Sequence, residues 1–284
     1  MAYIIYVMRY SIHTIQEVLY MSILLLGGTG RLGSALLNIL PNTYAPTRQE
    51  LDIADTGALI SYIADNCPDI IINCAAITDL NRCKMYPSIC FDTNTSPIIN
   101  MTDICNERAI KLIQISTNYV FPSSRDPYVN TTEHCRPISV YGWSKYVAEE
   151  YIVRNYYCYS IVRVSNLFGG MSKTPCFADK IIRKAVGGST LEVTNTLTNP
   201  TYVPQIPPVI KKMITDDVPN GILHIVGGLT TYYEFAKYLI RNIDVPIVEV
   251  DYESSIYRDR PSAGLVPTIM LDWKAGVDEY LGDI

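Results

Sequence analysis

A chain of 284 residues, 48% hydrophobic and 18% charged, can build one large α/β body or a large and a small one, and its composition excludes a disordered chain. Its net charge of −5 excludes a general attraction to nucleic acid or to an anionic membrane surface. Eight cysteines without a CxxC pair, and three histidines far apart (His13, His134, His224), give no metal-ligand spacing, so no metal is expected and reduced thiols in a cytoplasmic protein are.

Residues 1–20 open with the apolar run AYIIYVM, cut off by Arg9. The run is far below the ~18 apolar residues of a membrane span and lacks the layout of a secretory signal. They read as an N-terminal extension outside the fold, with Met21 at the start of the first strand. Ile23–Leu26 is a continuous apolar run ended by glycines, as expected of a strand buried on both faces. Helical spacing follows over Leu32–Leu40, then an extended piece at Tyr44–Thr47, a helix over Asp55–Asn66 and a strand over Asp69–Cys74. Pro97–Arg108 reads as helix, Ile110–Ile115 as strand, Val140–Arg154 as helix and Tyr159–Val164 as strand. Alternation at this spacing predicts an α/β fold with a doubly wound parallel sheet over residues 21–168.

Beyond Gly169 proline and glycine become frequent and the elements shorten. Phe177–Val186, Val209–Thr215 and Tyr232–Arg241 read as helices, Leu191–Thr194, Leu223–Val226 and Pro246–Val250 as short strands. Residues 169–284 are expected to form a smaller α/β region that packs on the first and binds substrate.

Gly27, Gly30 and Gly33 stand in GGTGRLG, straight after a strand and at the opening of a helix. That context suits a tight turn, close backbone approach to a pyrophosphate and free N–H groups that attract anions, so the sheet is read as a Rossmann-type NAD(P)-binding unit. NAD-specific enzymes usually carry an acid at the end of the second strand. Here TYAPTRQELDI has none before Glu50, and Arg48 in that region would favour a 2′-phosphate, hence NADPH, with NADH still admissible.

Tyr141 and Lys145 form a YxxxK pair on one face of a predicted helix. A free phenol titrates near ~10, and a neighbouring ammonium is expected to lower that value and let Tyr141 exchange a proton with a carbonyl oxygen. Ser116 and Thr117 follow the strand Ile110–Ile115, where a hydroxyl would face the crevice in which open α/β sheets bind ligands. Glycine loop, hydroxyl and YxxxK stand in the order required of a short-chain dehydrogenase.

Over residues 22–272 the stretches GGTGRLG, ELDIAD, PDIIINCAAIT, ISTNYVF, PISVYGWSK, TNPTYVP and the closing DRP resemble the dTDP-4-dehydrorhamnose reductase family, the nucleotide-sugar branch of the extended short-chain dehydrogenases. The resemblance implies reduction of the C4 keto group of a nucleotide-linked 4-keto-6-deoxyhexose by NAD(P)H, in deoxysugar (rhamnose-type) biosynthesis. Carried over by position, Thr117, Tyr141 and Lys145 are the catalytic set. Gly27, Thr29, Gly30, Arg31, Leu32, Gly33, Arg48, Asp52, Ile53, Cys74, Ala75, Ala76 and Thr78 would hold the cofactor together with Tyr141 and Lys145. Asn118, Tyr119, Asn166 and Arg260 would face the sugar. A nucleotide sugar is the implied partner, with no nucleic acid or membrane, and relatives are often homodimers.

Four positions, in three stretches, depart from the family pattern. Asn81 and Lys84 stand where relatives carry an aspartate and a glutamate, Asn118 replaces an acid, and Asn166 replaces a tryptophan expected at the sugar. Tyr119 occupies the slot where bifunctional epimerase-reductases place a cysteine, which favours reduction alone. A bifunctional 3-epimerase/4-reductase remains an alternative, as does a non-catalytic relative resembling the regulatory beta subunit of methionine adenosyltransferase.

Overall fold

The computed structural model describes residues 21–123, 129–216, 220–251 and 260–282, so the expectation for residues 1–20 lies outside the described residues. In chain order the strands are β1 (Ile23–Leu26), β2 (Thr43–Tyr44), β3 (Ile70–Asn73), β4 (Lys111–Thr117), β5 (Tyr159–Val164), β6 (Leu167–Phe168) and β7 (Leu191–Thr194). They continue as β8 (Leu197–Thr198), β9 (Thr201–Tyr202), β10 (Gly221–Gly227), β11 (Thr230–Thr231), β12 (Ile247–Val250) and β13 (Ile269–Leu271).

Seven strands join in the order β2-β1-β3-β4-β5-β10-β13. Each of the pairings is parallel. Every residue of β1 and β3 is buried, which is why β1 and the three isoleucines of β3 read as apolar runs rather than alternating ones. Helices must then cover the sheet. Thr56–Asn66, Ser96–Arg108 and Val140–Asn155 pack together as one layer, and Arg31–Leu37 packs with Ile206–Thr215 in another. The chain moves outward from β1 to β2 but the other way from β3 to β4, so the crevice between the carboxyl ends of β1 and β3 is the switch point where ligands bind in such sheets.

The region after Gly169 is divided in its packing. Strands β10 and β13 extend the large sheet, Leu223 opposite Val162 and His224 opposite Arg163. The remainder builds a second core from Phe168, Tyr202, Phe235 and Trp273, beneath the helices Phe177–Val186, Tyr232–Leu239 and Trp273–Gly282.

Several predicted bounds move for identifiable reasons. The helix expected from Val209 begins at Ile206, because prolines in a first helical turn sacrifice only N–H groups that have no partner there. Strand β4 runs two residues beyond Ile115 and ends with Ser116 and Thr117, which are therefore strand residues and not a following turn. The helix Asp55–Asn66 starts at Thr56, and the Asp55 carboxylate caps it by accepting from the Ala58 N–H. The helices Leu80–Met85 and Pro87–Asn94 were not anticipated.

Ile113 is fully buried in the middle of β4, whereas Ile60 is 43% exposed on its helix. Ile113→Ala should cost about 2–5 kcal/mol in urea unfolding, and Ile60→Ala less than about 1 kcal/mol, read from the shift in denaturation midpoint at constant slope.

Candidate active site

Two elements meet at the carboxyl edge of the sheet. The first is the end of β4, where the Thr117 hydroxyl accepts from the Tyr119 N–H at 3.2 Å and so caps the short turn Asn118–Val120. The Thr117 hydroxyl also lies 3.4 Å from Asn118 Oδ1, and Asn118 is buried. The second is the helix Val140–Asn155, started by Ser139, whose hydroxyl accepts from the Gly142 N–H. A Cβ on Gly142 would stand 2.2 Å from the Tyr119 carbonyl oxygen, so only glycine lets this helix approach the turn so closely. The approach brings the Tyr119 ring edge-on to Tyr141, centroids 5.5 Å apart.

Asn94 fixes the helix from behind. Its amide accepts from the Ile77 N–H at 2.8 Å and donates to the Ile77 carbonyl at 2.9 Å and to the Ser144 hydroxyl at 3.1 Å. The next residue, Thr95, donates to the Ser144 carbonyl at 2.7 Å. One buried asparagine thereby ties the segment after β3 to the turn of helix between Tyr141 and Lys145.

Tyr141, Lys145 and Glu149 are buried at successive turns of one helix face. The expected acidic phenol is not what the fold produces. Burial pushes Tyr141 above the usual tyrosine range, the hydrogen bond with Thr117 opposes the rise, and the thiols of Cys83 and Cys90 add to it. Burial likewise pulls Lys145 down to about 8, against the Glu149 carboxylate, which works to keep it charged. The pair thus holds a protonated phenol beside an ammonium poised near neutrality.

A cleft of about 950 Å³ opens over this point, within the range of small-ligand sites. Among the sequence-predicted residues it is lined by Gly30, Arg31, Leu32, Gly33, Arg48, Cys74, Ala76 and Thr78 on one side. Thr117, Asn118, Tyr119, Tyr141, Lys145 and Asn166 line the other. Gly27, Thr29, Asp52, Ile53, Ala75 and Arg260 are not among the lining residues. Gly27 supports the loop from below: at φ +77°, it passes so close to the chain after β3 that a Cβ would stand 2.6 Å from the Ala75 nitrogen. Gly33 is just as confined, 2.2 Å from the Gly27 carbonyl by the same measure. These contacts leave a bare backbone turn at the mouth of β1, the shape a pyrophosphate requires, so the residues fit a dinucleotide.

Arg48 lines the rim, two-thirds exposed, and pairs with Asp52 at 3.1 Å. Ile53 is buried. The Arg31 guanidinium turns toward the second region, donating to the Gly169 and Thr174 carbonyls at 2.7 and 2.8 Å and pairing with Asp179 at 3.1 Å. Asn166 adopts φ +39° just after β5, and its buried side-chain nitrogen has no hydrogen-bond partner among the described residues. Asp79, Arg82, Met85 and Tyr86 also line the cleft and were missed, together with the helix that carries them. The signal was available: Asp79 caps that helix by accepting from the Arg82 N–H, and Pro87 opens the next.

Behind the site lies a second polar group. Arg163 of β5 donates to both oxygens of Glu149, closest at 2.7 Å, and Arg163 and Glu149 are both buried. Its remaining N–H groups reach Cys135 Sγ at 3.3 Å and His224 Nε2 at 3.4 Å, and its plane lies over the Phe121 ring. His224 Nδ1 then donates to the Val266 carbonyl at 3.0 Å, which makes Nε2 the acceptor. Among the described residues no group of three or more histidine, cysteine, aspartate or glutamate side chains could hold a metal, and no helix is long and apolar enough to cross a membrane.

The sequence profile of the RmlD substrate binding domain family matches residues 21–262. A dTDP-4-dehydrorhamnose reductase of Streptomyces griseus is 27% identical, over 90% of this chain and 91% of the relative. A dTDP-4-keto-6-deoxy-D-glucose reductase of Streptomyces niveus is 28% identical over 77% of each. The crystal structure of dTDP-4-dehydrorhamnose reductase from Bacillus anthracis in complex with NADP superposes with a TM-score of 0.85 at 25% identity, covering 93% of this chain and 99% of that one.

Burial and the Arg163 charge, in that order, hold His224 down at about 4, so it is neutral in the fold and must gain a proton on unfolding below its ordinary value of 6.5. The unfolded chain binds more protons between those limits, so stability is full above pH 6.5 and is lost as pH falls toward 4. His224→Asn should flatten that part of the melting-temperature profile, and an unchanged slope would remove His224 as its source.

Proposed function

We infer the activity from the premise that this chain belongs to the RmlD substrate binding domain family. It is an NADPH-dependent reductase of the C4 keto group of a nucleotide-linked 4-keto-6-deoxyhexose. The observation that carries this reading is the convergence of Thr117, Tyr141 and Lys145 on one cleft that also contains the glycine loop.

Bound NADPH supplies the hydride that reaches C4. The roles of the side chains follow from their surroundings. Tyr141 is kept protonated by burial, which is the state a proton donor to the ketone oxygen must have. The Thr117 hydroxyl, anchored by the Tyr119 N–H, bonds the same oxygen and orients it. When Tyr141 gives up its proton, the Lys145 ammonium stabilises the phenolate and returns the phenol to its resting state from solvent. The glycine loop would hold the pyrophosphate, Cys74, Ala76 and Thr78 a ribose, and Arg48 the 2′-phosphate, in exchange for its exposed pairing with Asp52. Such a pair is worth little in water, so the exchange is cheap. Asn118, Tyr119 and Asn166 face the sugar. Eight cysteines outside any disulfide, four of them buried, accord with a reducing cytoplasm.

Tyr141→Phe should lower kcat at least about a hundredfold with enzymatically generated dTDP- or UDP-4-keto-6-deoxyglucose, while NADPH affinity changes little. Undiminished turnover would remove Tyr141 as the acid, and failure of the wild-type chain to turn over any such sugar while still binding NADPH would leave a binding protein. Arg48→Ala should raise the Kd for NADPH by about tenfold and leave that for NADH unchanged. Equal losses for the two would take Arg48 out of the phosphate site.

A further inference from the structure

Lys145 and Arg163 are two cations withdrawn from water, 3% and 2% exposed, and the carboxylate they have in common is Glu149, itself 2% exposed. Glu149 follows Lys145 by one turn on the same helix face, and it accepts three hydrogen-bonding contacts of 2.7 to 3.2 Å from the Arg163 guanidinium. Among the described residues no second carboxylate stands against either cation. Lys145 has Cys74 and Cys90 near it and Tyr141 one helical turn before it, and Arg163 faces Cys135, the neutral ring of His224 and the Phe121 face. Cys74 and Cys135 are pushed up to about 12 and about 11 by burial, so neither is a thiolate at neutral pH.

We propose that Glu149 is a positioning residue for the reaction: its carboxylate, gripped by Arg163, keeps the Lys145 ammonium charged beside Tyr141. The inference rests on the roles given to Tyr141 and Lys145 above. Its logic is a charge balance. Three buried ionised groups sum to one positive charge, and of the two cations only lysine can shed a proton, since a guanidinium stays protonated in proteins. Burial already brings Lys145 down to about 8. Remove the carboxylate's charge and Lys145 loses what opposes its burial, so it is the group that turns neutral. Remove the guanidinium and the whole carboxylate is left to Lys145, which then holds its proton more tightly. Arg163 thus sets how much of the Glu149 field Lys145 receives.

The two substitutions should act in opposite senses, which a packing role alone would not produce. In the pH profile of kcat/KM with NADPH and the keto sugar, the wild-type alkaline limb should lie near 8. Glu149→Gln should move that limb down by about 1–3 pH units, and Arg163→Met should move it up, whereas Arg163→Lys, which keeps the charge, should leave it in place. A reading independent of turnover comes from NMR titration of lysine amines carrying isotope-labelled methyl groups, without cofactor, with the Lys145 signal assigned by its loss in Lys145→Arg. Its midpoint should fall in Glu149→Gln and rise in Arg163→Met. If Glu149→Gln does not fold, the contrast between Arg163→Met and Arg163→Lys decides. Midpoints that stay put, or that move the same way in both variants, overturn the proposal. If Tyr141→Phe proves fully active, the assignment of the reacting pair fails instead, and the lysine titration still reports separately on Glu149.

Discussion

Holding a lysine charged after water has been taken from it costs several kcal/mol unless another charge compensates. Lys145 is held that way because its helix is pressed against the Asn118–Val120 turn at Gly142 and pinned by Asn94 through Ser144. The pressing puts Tyr141 and Lys145 in the cleft wall and under protein at once. Burial then does two separate things. It keeps the phenol protonated, and it makes the ammonium an easily perturbed group, so the carboxylate one turn on matters to the chemistry as much as to the packing.

The cofactor side depends on the same sheet edge, but through backbone rather than charge. Gly27 and Gly33 allow the first turn to fold back on itself and on the chain after β3, so the glycine loop and the segment Cys74–Thr78 form one continuous wall. Asn73 braces that wall from within the sheet, donating to Gln114 at 2.9 Å while its side-chain oxygen accepts from the Ala75 N–H. Arg31 leaves the loop in the opposite direction and grips the chain after β6 and the capped start of Phe177–Val186. The loop is therefore fastened to both regions that border the cleft, and displacement of either would be felt where the pyrophosphate is expected.

The sheet was legible in the sequence because strands buried on both faces leave mostly apolar runs: β1 is apolar throughout, β3 is interrupted only by Asn73, and β5 only by Ser160 and Arg163. Glycine loop and YxxxK were legible because their constraints are local, spanning one turn of loop or helix. What escaped was of two kinds. Leu80–Met85 is too short for its periodicity to register, and its capping aspartate was passed over, taking Asp79, Arg82 and Tyr86 of the cleft wall with it. The other kind is long-range. The pairing of Glu149 with Arg163 requires the placement of β5 against the helix, which no local periodicity encodes, and the contacts of Arg31 span well over a hundred residues, beyond any window of sequence. Burial misled in its own way: a neighbouring ammonium suggests an acidic phenol only while both groups are taken to be in water.

Epimerisation at a carbon beside the ketone needs an acid and a base able to exchange protons at neutral pH on opposite faces of the sugar. Among the described cleft residues, Tyr141 with Lys145 is the proton-exchanging pair of the reading proposed above. Tyr119, in the slot that would carry a second, stands edge-on against Tyr141 and within the turn capped by Thr117, so its placement serves the same phenol. The cysteines that line the cleft, Cys74 and Cys176, are both pushed up by burial and offer a thiol where a thiolate would be required. Asp79, the carboxylate in the wall, is committed to the start of its helix. In the reading proposed above, one proton donor, one hydroxyl to orient the ketone and one tuned ammonium suit the single proton delivery that reduction consumes.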